Sequence, residues 1–264
     1  MKDYFNKNSA PKISGQKKSV QKKYAQKNYG FTLVELAIGL TIISVIAGGV
    51  MQGSKLVGGF RVASVTSSFE QYKIAHTEFK KQYMALPGDF GGASAIWTGA
   101  TDGDDDNKIE YASDNIEQFG AWQHLGKAKL IEVQYSGTGG NTSYSPGVNI
   151  PAGTHAASGL RMITAQLNSD QCSKSATFVT YSKFESGCTT CEDIPVVTPA
   201  EALSIDRKVD DGIPGTGILF GMSKALSSSP GAGKDCATGI GKISTYSISN
   251  SDVNCVLYYS FQGK

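Results

Sequence analysis

The chain has 264 residues and a net charge of +2, with three histidines and five cysteines. The positive excess is local: residues 1–30 carry eight Lys and one Asp, so the remainder is acidic, at about −5. A lysine-rich stretch that lacks arginine and abuts an apolar segment gives no evidence for nucleic-acid binding. The sequence also holds no Gly-x-Ser-x-Gly, His-Glu-x-x-His or phosphate-binding loop, so nothing in it points to an enzyme.

After the basic leader, Gly30-Phe31-Thr32-Leu33-Val34-Glu35 opens an apolar run over 31–51 whose single charge is Glu35. A helix of that length spans roughly 32 Å, close to the hydrocarbon thickness of a bilayer. A carboxylate inside such a segment is costly and marks function. Basic residues ahead of an apolar span stay cytoplasmic, which places everything after the span outside the inner membrane. An ordinary secretory signal has a shorter apolar core and a cleavage site behind it. An uncleaved single-pass anchor is the plainer alternative.

A Gly directly before Phe, with Glu as the fifth residue after that Gly, resembles the processing site of type IV prepilins and pseudopilins. The resemblance covers roughly residues 24–60. It implies that a prepilin peptidase removes residues 1–30 by cutting between Gly30 and Phe31, and that the new amine of Phe31 is N-methylated. It further implies that 31–52 holds the subunit in the lipid bilayer until an inner-membrane assembly machinery stacks it into a helical filament. The partners there are copies of itself or other pilins. Phe31 and Glu35 are then the assembly residues: the amine of one subunit meets the carboxylate of a neighbour, and only one stagger satisfies both charges. Many major pilins carry a Pro where this chain has Gln52 and Gly53, a departure that leaves the filament system open.

The helix is expected to continue over 53–84 as an amphipathic segment, because Val62, Val65, Phe69, Tyr72, His76, Phe79 and Tyr83 recur at three- and four-residue steps. His76 reads as a packing residue on that face. Leu86-Pro87-Gly88-Asp89 stops the helix. Residues 87–116 read as a Gly- and Asp-rich loop. A short helix is expected over 116–131, with Phe119, Trp122, Leu125 and Leu130 as its apolar points and His124 as a surface or packing residue. Residues 132–160 read as an exposed excursion. Strands are expected at 177–184, 217–222, 242–248 and 256–261, with a helical turn at 199–205. One long helix followed by short strands predicts an α+β fold, pilin-like in plan, with the helix packed on a small antiparallel sheet and a globular body over 85–264.

All five cysteines fall late, and an exported body makes disulfides plausible. Cys236 and Cys255 read as one bridge closing a C-terminal hairpin. A second would join Cys172 to Cys188 or Cys191, and the spacing does not decide which. Cys188 and Cys191 also have zinc-ligand spacing, without a matching second pair.

The segment 102–110 places carboxylates at alternate positions, as the first half of an EF-hand loop does. Its candidate calcium ligands are Asp102, Asp104, Asp106 and the Lys108 carbonyl, closed by Asp114 or Glu117. Asn107 stands where the EF-hand loop has Gly. Several pseudopilins use calcium in their bodies, so the resemblance points the same way. A second acidic stretch at 206–214 reads as turn geometry. The function expected from all this is a structural subunit, a pilin or pseudopilin. The alternative is a minor or tip pilin whose body binds a ligand.

Overall fold

A computed structural model of the chain describes residues 30–110, 116–139, 144–166, 175–184, 193–223, 236–239 and 241–262, without the side chains of residues 51, 52, 54, 55, 116 and 175. Leader residues 1–29, Asp114, Cys172, Cys188 and Cys191 lie outside the described residues. The chain divides into two compact units, Met1–Val50 and Met51–Lys264.

Helix α1 is Leu33–Tyr83. Its first part, Leu33–Val50, is long and apolar enough to cross a membrane, and none of it is buried within the chain. The later part changes character because its apolar residues fall on one face. Val62, Val65, Phe69, Ala75, His76 and Phe79 are buried, and Tyr72 and Tyr83 pack against the same core. The helix ends as Met84 takes a left-handed φ of 57° and donates its N–H to the Lys80 carbonyl, after which Leu86-Pro87 cannot continue it.

The α+β expectation holds. Four strands, β1 (Ser158–Gln166), β2 (Ser175–Lys183), β3 (Leu219–Met222) and β6 (Val256–Ser260), form an antiparallel sheet in the order β1-β2-β6-β3. The short strands β4 (Ala237–Thr238) and β5 (Thr245–Tyr246) pair separately. Period-two alternation gives the large sheet two apolar faces. Leu160, Met162, Val179, Tyr181, Leu219, Leu257 and Tyr259 join the core that includes α1. Ile163, Phe178, Phe220, Met222, Val256 and Tyr258 form a second cluster. Among the described residues, three shorter α-helices lie in the body: α2 (Ala93–Ile96), α3 (Ile116–Lys127) and α4 (Pro199–Val209). Thr198 caps α4 by accepting the Glu201 N–H, with Pro199 in the first turn.

Helix and sheet meet through side chains spread over about two turns of α1. Phe69 stacks on Tyr259 with ring centroids 4.9 Å apart, and the Tyr259 hydroxyl donates to Glu70 at 2.7 Å. His76 lies 4.7 Å from the ring of Phe261. On the sheet, buried Arg161 donates to Asp193 at 2.6 Å, and Asp193 also accepts from Ser182 and Tyr258. Burial opposes the Arg161 charge, but Asp193 outweighs it and holds the guanidinium protonated.

Strand β1 is absent from the sequence reading because Gly159 and Arg161 interrupt its apolar pattern, and the buried Asp193, with the Tyr144 ring 5.8 Å from the guanidinium, makes Arg161 tolerable there. The stretch 132–160 is not simply an exposed excursion: Tyr135, Tyr144 and Ile150 are core residues. The strand expected at 242–248 is instead a 3₁₀ turn, Gly241–Ile243, followed by β5. The helical turn expected at 199–205 extends to Val209.

Cys236 and Cys255 form a disulfide, both fully buried, that ties the β4–β5 pair to the start of β6 across a sequence separation of 19 residues. Replacing Cys236 with Ser should lower the unfolding free energy by about 3 kcal/mol, the loop-closure value for that length, read from denaturant unfolding. Burial, aided by the charge of Lys80, pushes His76 down to about 4, whereas an unfolded histidine titrates near 6.5. The unfolded chain therefore takes up this proton first, so the His76 contribution is intact above pH 6.5 and is lost as pH falls toward 4. A His76→Leu variant should resist acid better over that window, by on the order of 3 kcal/mol at its lower end, in paired unfolding curves.

Candidate functional site

Two regions carry the sequence-predicted residues. The first is the start of α1. Gly30 and Phe31 precede the helix, and Phe31 and Leu33 are each 86% exposed. Thr32 and Glu35 exchange hydrogen bonds. The Thr32 N–H and hydroxyl donate to Glu35 Oε2 at 2.9 and 2.8 Å, and the Glu35 N–H donates to the Thr32 hydroxyl oxygen at 3.2 Å. This is a capping box, in which a Thr and a Glu three residues later satisfy each other's orphan N–H groups. The Thr-x-x-Glu spacing that signals this cap is visible in the sequence.

The second region is the loop 88–110, which is strapped to α3. Asp89 follows the Leu86-Pro87-Gly88 stop of α1, and Glu117 lies in the first turn of α3. Glu117 accepts the N–H groups of Asp104 at 3.3 Å and Glu110 at 3.0 Å. Gln118 donates to the Glu110 carbonyl at 2.8 Å. Gln123 accepts the Thr101 N–H at 2.9 Å and donates to the Gly99 and Ser136 carbonyls. His124, fully buried, accepts the Gly88 N–H on Nδ1 at 2.9 Å and donates from Nε2 to the Thr101 carbonyl at 2.7 Å. Both ring nitrogens are engaged only by a neutral imidazole, and burial holds the His124 pKa below its ordinary value. His124 is a clamp, not a base.

The loop closes tightly. The Gly103 N–H donates to the Phe90 carbonyl and the Asp105 N–H to the Asp89 carbonyl. A Cβ on Gly103 would sit 2.2 Å from the Asp89 carbonyl carbon, and one on Gly88, at φ 93°, would sit 2.2 Å from the Glu117 carbonyl oxygen. Asp105 and Asn107 take left-handed φ values of 61° and 65°, which Asn and Asp accept more readily than other side chains. Asn107 thus does locally what the EF-hand Gly does.

The carboxylates gathered here are not the set expected from alternation. Asp89, Asp104 and Glu117 bring ligand oxygens within 4.8 Å of one another. Asp102 is turned to the Ser94 N–H and hydroxyl at 2.7 and 2.6 Å. Asp106 accepts its bonds from the Lys108 N–H and ammonium. Those local donors satisfy them, so of the expected ligands Asp104 and Glu117 converge, and Asp89 is the residue the spacing missed. Burial pushes Asp89 up to about 6 against the pull of the Asn107 N–H, and pushes Glu117 up to about 7 against the N–H groups of Glu110 and Asp104.

A second carboxylate group, Asp206, Asp210 and Asp211, differs in its donors. Asp206 accepts from Tyr246 at 2.8 Å and from the Gly212 N–H at 3.1 Å, Asp211 from the Ile213 N–H and Thr216, and Asp210 from the Ile218 N–H. These bonds fold the turn after α4.

The sequence reading also passed over His155, whose ring meets the Tyr181 hydroxyl at 2.6 Å and Glu201 at 3.2 Å. The nearby Ser158 hydroxyl donates to the His155 carbonyl at 2.6 Å rather than to the ring, so the trio lacks a hydrogen bond between nucleophile and base. It joins β1 and β2 to α4.

Residues 25–51 match the family model described as the prokaryotic N-terminal methylation motif, the prepilin-type cleavage and methylation signature. That motif supports a type IV pilin- or pseudopilin-like protein and implies a structural subunit that is a prepilin peptidase substrate. With the apolar start of α1, it fits membrane anchoring. No curated protein and no solved structure matches the chain.

Removing the capping hydroxyl with Thr32→Ala should cost about 1 kcal/mol at the helix start. Amide exchange in the first turn of α1, measured on the chain in detergent, should speed up roughly fivefold with later turns unchanged.

Proposed function

We propose that the chain is a structural subunit of a type IV pilus-like or type II secretion filament, cut between Gly30 and Phe31 and polymerised through α1. The observation that carries this is the methylation motif over residues 25–51, set on a helix whose Leu33–Val50 stretch is wholly exposed within the chain. An apolar surface of that extent needs lipid or other helices around it. The inner membrane supplies the first before assembly, and neighbouring subunits supply the second afterwards. The body then stands outside the cytoplasm, first at the membrane and later on the filament.

In this reading Glu35 has two roles. Within the subunit it caps α1; between subunits it receives the Phe31 amine. Neither charge is stable alone in an apolar surrounding, so their meeting fixes register. The two roles are separable, because Gln also serves at the third position of a capping box but carries no charge.

N-terminal sequencing and intact mass, with and without the peptidase, test the processing. The expected product starts at Phe31 and is about 14 Da heavy from one methyl group. A product starting at Met1 in cells with active peptidase contradicts the proposal. For assembly, Glu35→Gln should keep the first helical turn protected yet reduce sheared filaments to background, whereas Glu35→Leu should lose both. Filament yield from Glu35→Gln equal to that of the parent would rule out the charge pair.

A further inference from the structure

We infer that Asp89, Asp104 and Glu117 form a binding site for one calcium ion. The inference does not depend on the filament reading, since all three residues lie in the body. Three carboxylates with oxygens inside 4.8 Å fit the sphere of calcium, whose oxygen ligands stand 2.3–2.6 Å from the ion and so up to about 5 Å from one another. Magnesium demands near-ideal octahedral geometry and gives up its waters reluctantly, so a set of three protein carboxylates suits calcium better. Three carboxylates, each mono- or bidentate, leave the remaining positions of a six- to eight-coordinate ion to water.

Proximity of acids alone is common at protein surfaces. The independent observation is Asp89. This residue is 1% exposed, its Oδ2 takes the Asn107 N–H at 3.0 Å, and its Oδ1 is buried with no hydrogen-bond partner among the described residues. A buried carboxylate oxygen without a donor carries its full desolvation cost. Asp104 and Glu117, when ionised, offer only acceptors, so a cation is what completes the ionised group. Each carboxylate of the Asp89 group also accepts a backbone N–H, Asp104 from Asp106 at 3.1 Å, so the contrast with the Asp206, Asp210 and Asp211 group lies in the buried oxygen left without a partner: Asp89 has one, and that group has none among the described residues. That group is a hydrogen-bonded turn; the Asp89 group keeps one buried oxygen, Asp89 Oδ1, without a donor.

The scaffold keeps the site in place without the ion. Glu117 is held by two loop N–H groups, and His124 and Gln123 pin the loop on either side of Asp89 and Asp104. Gly88 and Gly103 allow the approach of backbones that any larger residue would block.

The test uses the full chain purified in detergent, stripped with chelator and titrated with calcium chloride. Heat of binding should fit one site. The melting temperature should rise by roughly 5–10 °C at free calcium a hundredfold above Kd. Magnesium chloride should bind at least tenfold more weakly. Asp104→Asn, at an exposed position, and Glu117→Gln should each reduce affinity at least tenfold while the far-ultraviolet circular dichroism of the stripped protein stays unchanged. Asp102→Asn and Asp211→Asn should leave it intact. The inference is overturned by the absence of heat and of a melting shift at millimolar calcium. Full affinity in both Asp104→Asn and Glu117→Gln, or loss of binding in Asp211→Asn, overturns it equally.

Discussion

The body is organised against one face of α1. Over little more than two turns, Phe69 stacks on Tyr259, Glu70 takes the Tyr259 hydroxyl, Lys73 lies 5.5 Å from the same ring and His76 meets Phe261. All of these contacts fall on β6 or the residue just after it, and β6 sits inside the sheet between β2 and β3. Further along, Phe79 and Tyr83 pack with Phe90, Trp97 and the His124 ring, which brings the acidic loop and α3 to the same helix. A single inserted residue in α1 would turn this face by about 100°, and every one of these contacts would be lost together.

Helix α3 applies a different constraint. Its buried side chains include three polar ones, Gln118, Gln123 and His124, and each satisfies backbone groups of an irregular loop. The loop over 88–110 is thereby tied to α3 without a strand ladder. Buried polar side chains of this kind are expensive unless every donor finds an acceptor, and here the loop supplies them. The same economy explains why the two acidic groups differ. One is threaded by N–H donors of its own turn, and the other faces inward with an oxygen left over.

Much of the scaffold was legible in the sequence because periodicity reports burial. The packing face of α1 and its end at Tyr83, the short helix at Ile116, and strands β2, β3 and β6 all follow from spacing, Pro-Gly signals or alternation. What escaped notice depended on distant partners. Strand β1 reads poorly because Arg161 interrupts it, and Asp193, 32 positions away, is what neutralises that charge. The core role of Tyr135, Tyr144 and Ile150 was hidden in a stretch rich in Gly, Ser and Asn. At the carboxylate site, local alternation suggested Asp102 and Asp106, yet both are satisfied by neighbours in the loop. Asp89 arrives from the end of another helix, and no short spacing rule connects it to Glu117. The methylation motif was fully legible, since it is a short local pattern over residues 25–51.

The capping box at the head of α1 has a consequence for the growth of the proposed filament. Both Thr32 bonds fall on Oε2 of Glu35, and the atoms involved all lie beyond the bond between Gly30 and Phe31. On that proposal, cutting the bond alters nothing in the receptor; it only creates the amine that would occupy a receptor elsewhere. In the language of polymerisation, a processed subunit is bifunctional, with one plug and one socket, whereas an unprocessed subunit has the socket alone. An uncut copy that reached the growing stack would accept a neighbour and offer nothing onward. The ratio of cut to uncut subunits would then set filament length, much as a monofunctional monomer sets chain length in a condensation polymer.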